Sequence, residues 1–209
     1  MTGPAKMRTP GDFAAALRGK TVAIVGNAVS LAASRHGPLI DACDIVIRLN
    51  RVPGARPESH GTRTTWLAIS KLPSEQRLRE VDPQVLIWMT PKNRCRSWAL
   101  RLRGWKVFHY SGAEWASLCD RLGGARPSTG LMIIDFIARI GGFTRLRVFG
   151  FDFFESGSLA GRAADAWVPH VYAKERQHVE ALIASGLPIE VIPPTMNPDD
   201  VKAPESSAC

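Results

Sequence analysis

Two asparagines follow two strand-like segments near the start of the chain. Asn27 comes directly after the apolar run 21–25 and Gly26, and Asn50 follows the run 44–49. A glycine lets a ligand approach the backbone closely, and an asparagine amide both donates and accepts hydrogen bonds. If the two strands are neighbours, both carboxamides lie at one edge of a sheet and can hold a ribose or a base. Simple turns account for the same residues, and the single glycine excludes a dinucleotide-binding GxGxxG fingerprint.

A second polar group precedes a long apolar-periodic segment. Ser128 and Thr129 stand immediately before residues 130–140, which carry the pattern of a helix. A hydroxyl residue in that place predicts a helix N-cap. The unpaired N–H groups of a helix start, with two hydroxyls beside them, also suit a phosphate. Capping alone is the simpler interpretation, and the two roles are compatible.

A histidine precedes the last helical segment. His170 stands before residues 172–184, which include Glu175 and His178. An imidazole titrates near neutral pH, with a reference pKa of about 6.5, so His170 can serve as a general base. The spacing does not match the HExxH pattern of a metal site. On spacing alone, a loop histidine without a catalytic role is the simpler interpretation.

The most basic segment of the chain is residues 94–106, where five basic residues stand with Trp98 and Trp105. Such a segment can lie on an anionic membrane surface, or its aromatic and arginine side chains can stack on single-stranded nucleic acid. A solvated helix whose two tryptophans pack inward explains the same composition. We favour this structural interpretation, with contact to a membrane as the next alternative.

Strand and helix patterns alternate through the middle of the chain and must position these groups. Apolar, β-branched runs predict seven strands, at 21–25, 44–49, 64–69, 84–89, 106–110, 146–151 and 189–192. Helical patterns fill most of the gaps, at 74–81, 97–103, 113–122, 130–140 and 172–184. Continuously apolar strands alternating with helices predict an α/β fold with a mostly parallel sheet covered on both faces. Such sheets bind ligands beyond the carboxyl ends of their strands.

Composition sets the limits of the class. The chain has 209 residues, a formal charge of +8 and 45% hydrophobic residues, which suits one globular domain and excludes a disordered chain. We expect a flexible N-terminal arm over 1–15, a folded domain over 16–196 and a tail over 197–209. The positive charge is compatible with nucleic acid, an anionic membrane or an anionic substrate.

The absence of targeting signals leaves two expectations open, a protein that stays in the cytoplasm or a targeting segment that is missing. The sequence contains neither a run of about 18 apolar residues, as a transmembrane helix needs, nor a signal-peptide core at its start. The four cysteines form no CxxC pair, so neither a zinc site nor a disulfide framework is expected.

Four segments together resemble the ordered motifs of glycosyltransferase family 29, the animal-type sialyltransferases. Residues 22–50 look like the long sialylmotif, with Val-Gly-Asn at a strand end, and residues 61–65 (GTRTT) resemble the Gly-x-Arg-Thr-Thr that follows it. Residues 126–150 look like the short motif, which opens on Pro-Ser-Thr-Gly, and residues 170–175 fit the His-x4-Glu motif. The order is that of the family, and the likeness spans about residues 20–192.

The resemblance implies a single-domain, variant GT-A (Rossmann-like) fold with a seven-stranded sheet flanked by helices, which makes 16–196 the catalytic domain. It also implies a CMP-activated nonulosonic acid as donor, such as sialic acid or Kdo, a glycan or lipid-linked acceptor, inversion at the anomeric carbon, and neither metal nor cofactor. By motif position, the residues that contact the CMP-sugar are Gly26, Asn27, Asn50, Ser128, Thr129 and Gly130. His170 is then the base that takes the proton of the acceptor hydroxyl.

Three further residues are expected to support the site. Glu175 either orients His170 or caps its helix, Arg176 follows it, and Trp167 fills part of the place of the family's third motif. That motif is rich in His and Tyr, and residues 155–169 contain neither. A CMP- or nucleotide-binding protein of the same fold without transferase activity is therefore the alternative.

The family's usual disulfide is another departure. Its aligned positions are occupied by Val22 and Gly141, so the bridge cannot form, which suits a reducing compartment. We expect a cytoplasmic protein of bacterial glycan biosynthesis that does not bind nucleic acid. Residues 94–106 provide a second expectation, peripheral contact with the inner membrane.

Overall fold

The computed structural model describes Met7 and residues 9–50, 56–92, 94–151 and 172–194. Seven strands form one sheet in the order β5-β4-β3-β2-β1-β6-β7, and all six pairings are parallel. The strands are Thr21–Val25 (β1), Ile45–Leu49 (β2), Trp66–Ile69 (β3), Val85–Trp88 (β4), Val107–His109 (β5), Arg145–Phe149 (β6) and Ile189–Ile192 (β7). The predicted α/β class with seven strands is confirmed.

Most positions of the strands are apolar because both faces of the sheet are covered, with Arg48, Arg147 and Glu190 among the exceptions. Successive side chains alternate between the faces, so Ile24 and Ile47 enter one core cluster while Ala23 and Val46 enter another. The chain moves outward from β1 through β2 to β5, then returns to place β6 on the other side of β1. This reversal makes the carboxyl ends of β1 and β6 a topological switch point, where open α/β sheets bind ligands.

Eight α-helices and one 3₁₀ helix (Val29–Ala33) are present in the described residues. The α-helices are Pro10–Leu17 (α1), Gly37–Asp41 (α2), Pro57–His60 (α3), Glu75–Val81 (α4), Arg94–Leu102 (α5), Gly112–Arg121 (α6), Thr129–Ile140 (α7) and Tyr172–Ala184 (α8). The five predicted helices are found, whereas α1, α2 and α3 were not predicted. None of the helices in this part of the chain has the length and apolar character to cross a bilayer.

Helices cover both faces of the sheet. Residues of α1, α6, α7 and α8 share the larger core cluster with one face. On the other face, Leu31 of the 3₁₀ helix and Ile40 of α2 pack near β1 and β2. Leu78 of α4 and Leu100 of α5 pack on β3, β4 and β5. Of these, α7 is the most deeply buried, and its first residues lie at the carboxyl edge of the sheet.

The predicted flexible arm over 1–15 is wrong for its last part. Helix α1 begins at Pro10 and is started by a capping box, in which Thr9 N donates to Asp12 Oδ2 at 2.8 Å and Thr9 Oγ1 accepts from Asp12 N at 3.3 Å. Threonine at the N-cap and proline at the first helical position are helix-start signals. Phe13 is fully buried and packs edge-on against the rings of Trp66, Phe108 and Phe136. Residues 1–6 and the predicted tail over 197–209 lie outside the described residues.

The basic segment 94–106 also differs from expectation. Trp105 is half-buried against the core of α4 and α5, as an inward-packed tryptophan should be. The other tryptophan, Trp98, is 64% exposed, so the prediction that both pack inward is wrong. Ser97 and Leu100 occupy the inward face of α5. Because consecutive helical residues are turned by about 100°, Trp98 cannot share that face.

Candidate functional site

Asn50 and Thr129 are joined at the carboxyl edge of the sheet through Ser70. Asn50 has a left-handed backbone, with φ of 53°, and its Oδ1 accepts a hydrogen bond from Ser70 N at 3.1 Å. Ser70 Oγ lies 2.6 Å from Thr129 Oγ1. The structure thus brings together the ends of β2 and β3 and the start of α7. Ser70 was not predicted, although it directly follows a strand, as Gly26 and Asn50 do.

Gly26 and Gly130 lie on either side of the Phe151 ring. A Cβ built on Gly26 would come within 2.8 Å of the ring and 2.3 Å of Gly150 O, and one on Gly130 would come within 2.4 Å of the ring. Glycine is needed at both positions because the chain itself occupies the space. This internal packing is a reason for glycine at position 26 that was not predicted, and close approach of a ligand to Gly26 stays a prediction. The contact joins the ends of β1 and β6 to α7.

The start of α7 has the cap that its sequence predicts. Ser128 is the N-cap, and its Oγ accepts from Leu131 N at 3.1 Å. Within the described residues, the N–H groups of Thr129 and Gly130 have no acceptor. The first amides of a helix carry partial positive charge, so they favour an anionic ligand. Thr129 is half-buried, which leaves this end of the helix accessible from outside.

Glu175 holds the first turn of α8 against the start of α7. Its buried carboxylate, 3% exposed as a residue, accepts from Ser128 N at 2.7 Å and from Ser128 Oγ at 2.6 Å. Both contacts are short, as hydrogen bonds to a charged acceptor usually are. Glu175 thus binds the N-cap residue of the neighbouring helix, a contact that was not predicted. Its predicted roles, orienting His170 or capping its own helix, stay predictions. Arg176 follows it in the same turn and is half-buried.

Asn27 stands at the same edge, directly after Gly26. Its side chain is half-buried. Within the described residues it makes no hydrogen bond. Its amide therefore keeps both donor and acceptor capacity for a ligand. His170 and Trp167, the other two predicted site residues, lie outside the described residues.

Several polar residues of the first motif hold the chain between β2 and β3. The Asp41 carboxylate accepts from Thr62 N at 2.8 and 3.0 Å and from Arg63 N at 3.0 Å. Burial would raise the pKa of Asp41, but these hydrogen bonds outweigh it and the pKa lies below its ordinary value. Arg63 Nη1 donates in turn to Asp41 O and Cys43 O at 2.6 and 2.7 Å. These groups stabilise the fold.

Arg48 belongs to the same structural group. It is 3% exposed, and its guanidinium donates to Arg63 O at 2.9 Å, Thr64 Oγ1 at 3.1 Å and His60 O at 2.8 Å. Burial lowers the pKa of Arg48 to about 10, which leaves the group charged at neutral pH. A buried charge is tolerated here because neutral oxygen atoms of the chain accept hydrogen bonds from it.

A second buried ionic group fastens α6, α7 and α8 together. Asp135, in the middle of α7, receives hydrogen bonds from Arg121 Nη2 at 3.0 Å, Arg139 Nε at 2.7 Å and His178 Nε2 at 3.0 Å. Burial alone would raise the pKa of Asp135, but the bonds from His178 and Arg139 lower it. His178 therefore packs in an ion-pair network. No group of three or more potential metal ligands occurs in the described ranges.

Comparisons with known proteins agree with this geometry. The family model described as glycosyltransferase family 29 (sialyltransferase) matches residues 9–85. A mammalian sialyltransferase in complex with Gal-beta-1-3GalNAc-ortho-nitrophenol has 22% identity and a TM-score of 0.64, over 89% of this chain and 74% of that one. The sialyltransferase CstII from Campylobacter jejuni, in complex with the substrate analogue cytidine-5'-monophosphate, has 14% identity and a TM-score of 0.56, over 85% and 82% of the two chains. No curated protein matches significantly.

The all-parallel, seven-stranded sheet flanked by helices is the α/β fold of these solved sialyltransferases. The part of the chain that the family model matches, residues 9–85, includes Gly26, Asn27 and Asn50 and is similar to glycosyltransferase family 29, the sialyltransferase family.

Proposed function

We propose that the protein is an inverting, metal-independent glycosyltransferase that moves a sialic acid, or a related nonulosonic acid such as Kdo, from a CMP-sugar to a hydroxyl group of a glycan or lipid-linked acceptor. One observation carries the proposal. The open N–H groups of Thr129 and Gly130 lie beside Asn50 and Ser70 at the carboxyl edge of a parallel sheet whose first strands match the family 29 model. An anionic leaving group needs such donors when no metal neutralises it.

In this site, the start of α7 receives the phosphate of the donor. Thr129 and Gly130 donate their N–H groups to it, and Asn27 and Asn50 offer carboxamides to the ribose and phosphate of CMP. Glu175 keeps the start of α7 in place by holding Ser128. The +8 charge of the chain favours approach of a donor that carries both a phosphate and a carboxylate.

His170 acts as the general base in this proposal. It takes the proton of the acceptor hydroxyl while that oxygen forms a bond to the anomeric carbon. The bond from this carbon to the phosphate oxygen breaks, and CMP leaves with the electron pair. Attack opposite to the leaving group inverts the anomeric carbon. A positioned histidine is expected to contribute about 10²–10⁴-fold to the rate.

Release of CMP from CMP-Neu5Ac and from CMP-Kdo, measured with and without an acceptor panel, tests the function. We expect one donor to be consumed, and His170→Ala to abolish release while CMP still binds by calorimetry. Equal release by His170→Ala would refute the role of His170. Binding of CMP by the unchanged protein, with no turnover of either donor on any acceptor, would instead favour a nucleotide-binding protein without transferase activity.

Location in the cytoplasm is a further part of the proposal. Cys43 and Cys119 are free, buried thiols, and Val22 and Gly141 stand where the resembled family carries its bridge. Free thiols suit a reducing compartment. Fractionation of expressing bacterial cells is expected to leave the protein with the cytoplasm or the inner membrane, and recovery in the periplasm would contradict this.

A further inference from the structure

We propose that one face of helix α5 docks the protein on an anionic lipid bilayer. The docking face consists of Trp98, Arg101 and Leu102 of α5 together with Arg103 and Lys106, which follow the helix. This inference does not depend on the proposed transfer reaction. It rests on the exposure of two large apolar side chains and on the charges close to them in the sequence.

The apolar part of the docking face is the most exposed large hydrophobic pair in the described residues. Trp98 is 64% exposed and Leu102 is 72% exposed. The two are four positions apart, so they lie on the same side of the helix, one turn from each other. Ser97 and Leu100, which are almost fully buried, fasten the opposite side of α5 to the core. The tryptophan and leucine are thus held outward by a helix that is packed behind them.

Basic residues are close to this pair in the sequence, at positions 101, 103 and 106. Arg101 donates to Val107 O at 2.8 Å and is exposed as a residue, and Lys106 is half-buried at the start of β5. Arg103, whose side chain is 58% exposed, lies 2.8 Å from Glu75 of α4. Glu75 also pairs with Arg79, so two arginines share one carboxylate. The surface around Trp98 and Leu102 therefore carries a net positive charge.

A bilayer fits this combination better than nucleic acid does. Tryptophan sits at the level of lipid headgroups, where its ring is apolar and its N–H stays hydrated. Leucine gains by entering the acyl boundary, whereas stacking on a base requires an aromatic or guanidinium plane. Lysine and arginine near the surface are drawn to anionic headgroups. An apolar pair with basic neighbours is the pattern of an interfacial helix.

Flotation with vesicles of phosphatidylcholine, with or without phosphatidylglycerol, tests the proposal. We expect binding to the anionic vesicles that weakens with salt. The double variant Trp98→Ser/Leu102→Ser should lower the partition coefficient at least about tenfold. Arg101→Gln/Lys106→Gln should lower it about fivefold for each charge removed. Urea unfolding of each variant checks that the fold is retained.

Matched controls use exposed residues elsewhere in the molecule. Ile183 of α8 is 37% exposed, and Arg18 is exposed at the end of α1. Ile183→Ser should leave vesicle binding unchanged, and Arg18→Gln should weaken it much less than removal of one charge from the docking face. With brominated lipids, binding should quench the fluorescence of the protein, and Trp98→Phe should bind but lose most of that quenching.

Three results would overturn the proposal. The first is failure to bind anionic vesicles at low salt. The second is equal binding by the protein and the Trp98→Ser/Leu102→Ser variant. The third is evidence that another partner covers this face. Such evidence would be a dimer seen in sedimentation that the Trp98→Ser/Leu102→Ser variant does not form, or a single-stranded oligonucleotide that competes with vesicles and binds only when Trp98 is present.

Discussion

Arg48 and Asn50 stand two positions apart at the end of β2, yet their polar atoms are used in opposite ways. Arg48 is buried and donates to three oxygen atoms of the chain. Asn50 is half-buried, and only its Oδ1 is engaged, by Ser70 N. Within the described residues, the Asn50 amide N–H₂ has no acceptor. One motif therefore contains groups that hold the fold and groups that stay available to a ligand.

Replacement of Arg48 should have the largest effect on stability. In Arg48→Met, His60 O and Arg63 O lose their buried donor, and we expect the free energy of unfolding to fall by about 3 kcal/mol. Urea denaturation measures this, with Arg18→Gln as a control that should change stability by less than about 0.5 kcal/mol. A tolerated Arg48→Met would mean that Arg48 is not a structural residue and would remove the distinction from Asn50.

Gly130→Ala tests the packing that fixes α7 to β1 and β6. The new methyl group collides with the Phe151 ring, and overpacking of this kind should cost about 2 kcal/mol. In a Phe151→Ala background the collision is gone. There the same change should stabilise by about 0.5–1 kcal/mol, because alanine is a better helix residue than glycine. Thermal unfolding of the parent protein, the two single variants and the double variant completes this double-mutant cycle. An equal loss of stability on Gly130→Ala with and without Phe151 would contradict the role of the ring.

Asp41 should make stability depend on pH. Its pKa is lowered in the folded chain, so its carboxylate stabilises the fold above the unfolded pKa of about 4, and this contribution is lost as the pH falls through the lowered value. At pH 7, Asp41→Asn should cost about 1–2 kcal/mol. Between about pH 5 and 2, the variant should lose less stability than the parent protein. Parallel acid titrations of the two proteins would refute the assignment.

Glu175→Gln should lower stability only slightly but should weaken CMP binding. The carboxamide oxygen can still accept a hydrogen bond from Ser128 N, but the N–H₂ group cannot accept one from the Ser128 hydroxyl. We therefore expect the free energy of unfolding to fall by about 1 kcal/mol. CMP binding should weaken because the start of α7 is less firmly held. The control is Glu180→Gln, an exposed position on the same helix. Unchanged CMP affinity in Glu175→Gln would show that the contact with Ser128 does not position the donor site.

The fold could be predicted from the sequence largely because most of the strands are buried on both faces. Runs such as Thr21–Val25 and Ile189–Ile192 are apolar apart from Thr21 and Glu190, and their bounds agree with the structure. Helices α2 and α3 contain only five and four residues, too few to display a 3.6-residue period. Helix α1 has a clear start signal in Thr9-Pro10, but its position beside a polar N-terminus concealed it.

At the site, the sequence located the strand ends but not their partners. Asn50 and Thr129 were predicted singly, and the contact through Ser70 depends on which strands are neighbours. Glu175 was ambiguous for the same reason, because its partner Ser128 lies 47 positions away. Trp98 was assigned inward together with Trp105, as the buried part of a solvated helix. Only the packing of Ser97 and Leu100 determines which side of α5 faces the core.

Asn27→Ala should have the smallest effect on stability, while it should clearly weaken CMP binding. The side chain is half-buried and makes no hydrogen bond to the described residues, so the free energy of unfolding should change by less than about 0.5 kcal/mol. If the amide contacts CMP, however, its loss should weaken CMP binding about tenfold, as expected for a hydrogen bond to a charged or polar ligand. Calorimetry with CMP and urea unfolding measure the two quantities on one protein. A large loss of stability would place Asn27 with Arg48 among the residues that hold the fold, and unchanged CMP binding would remove it from the site.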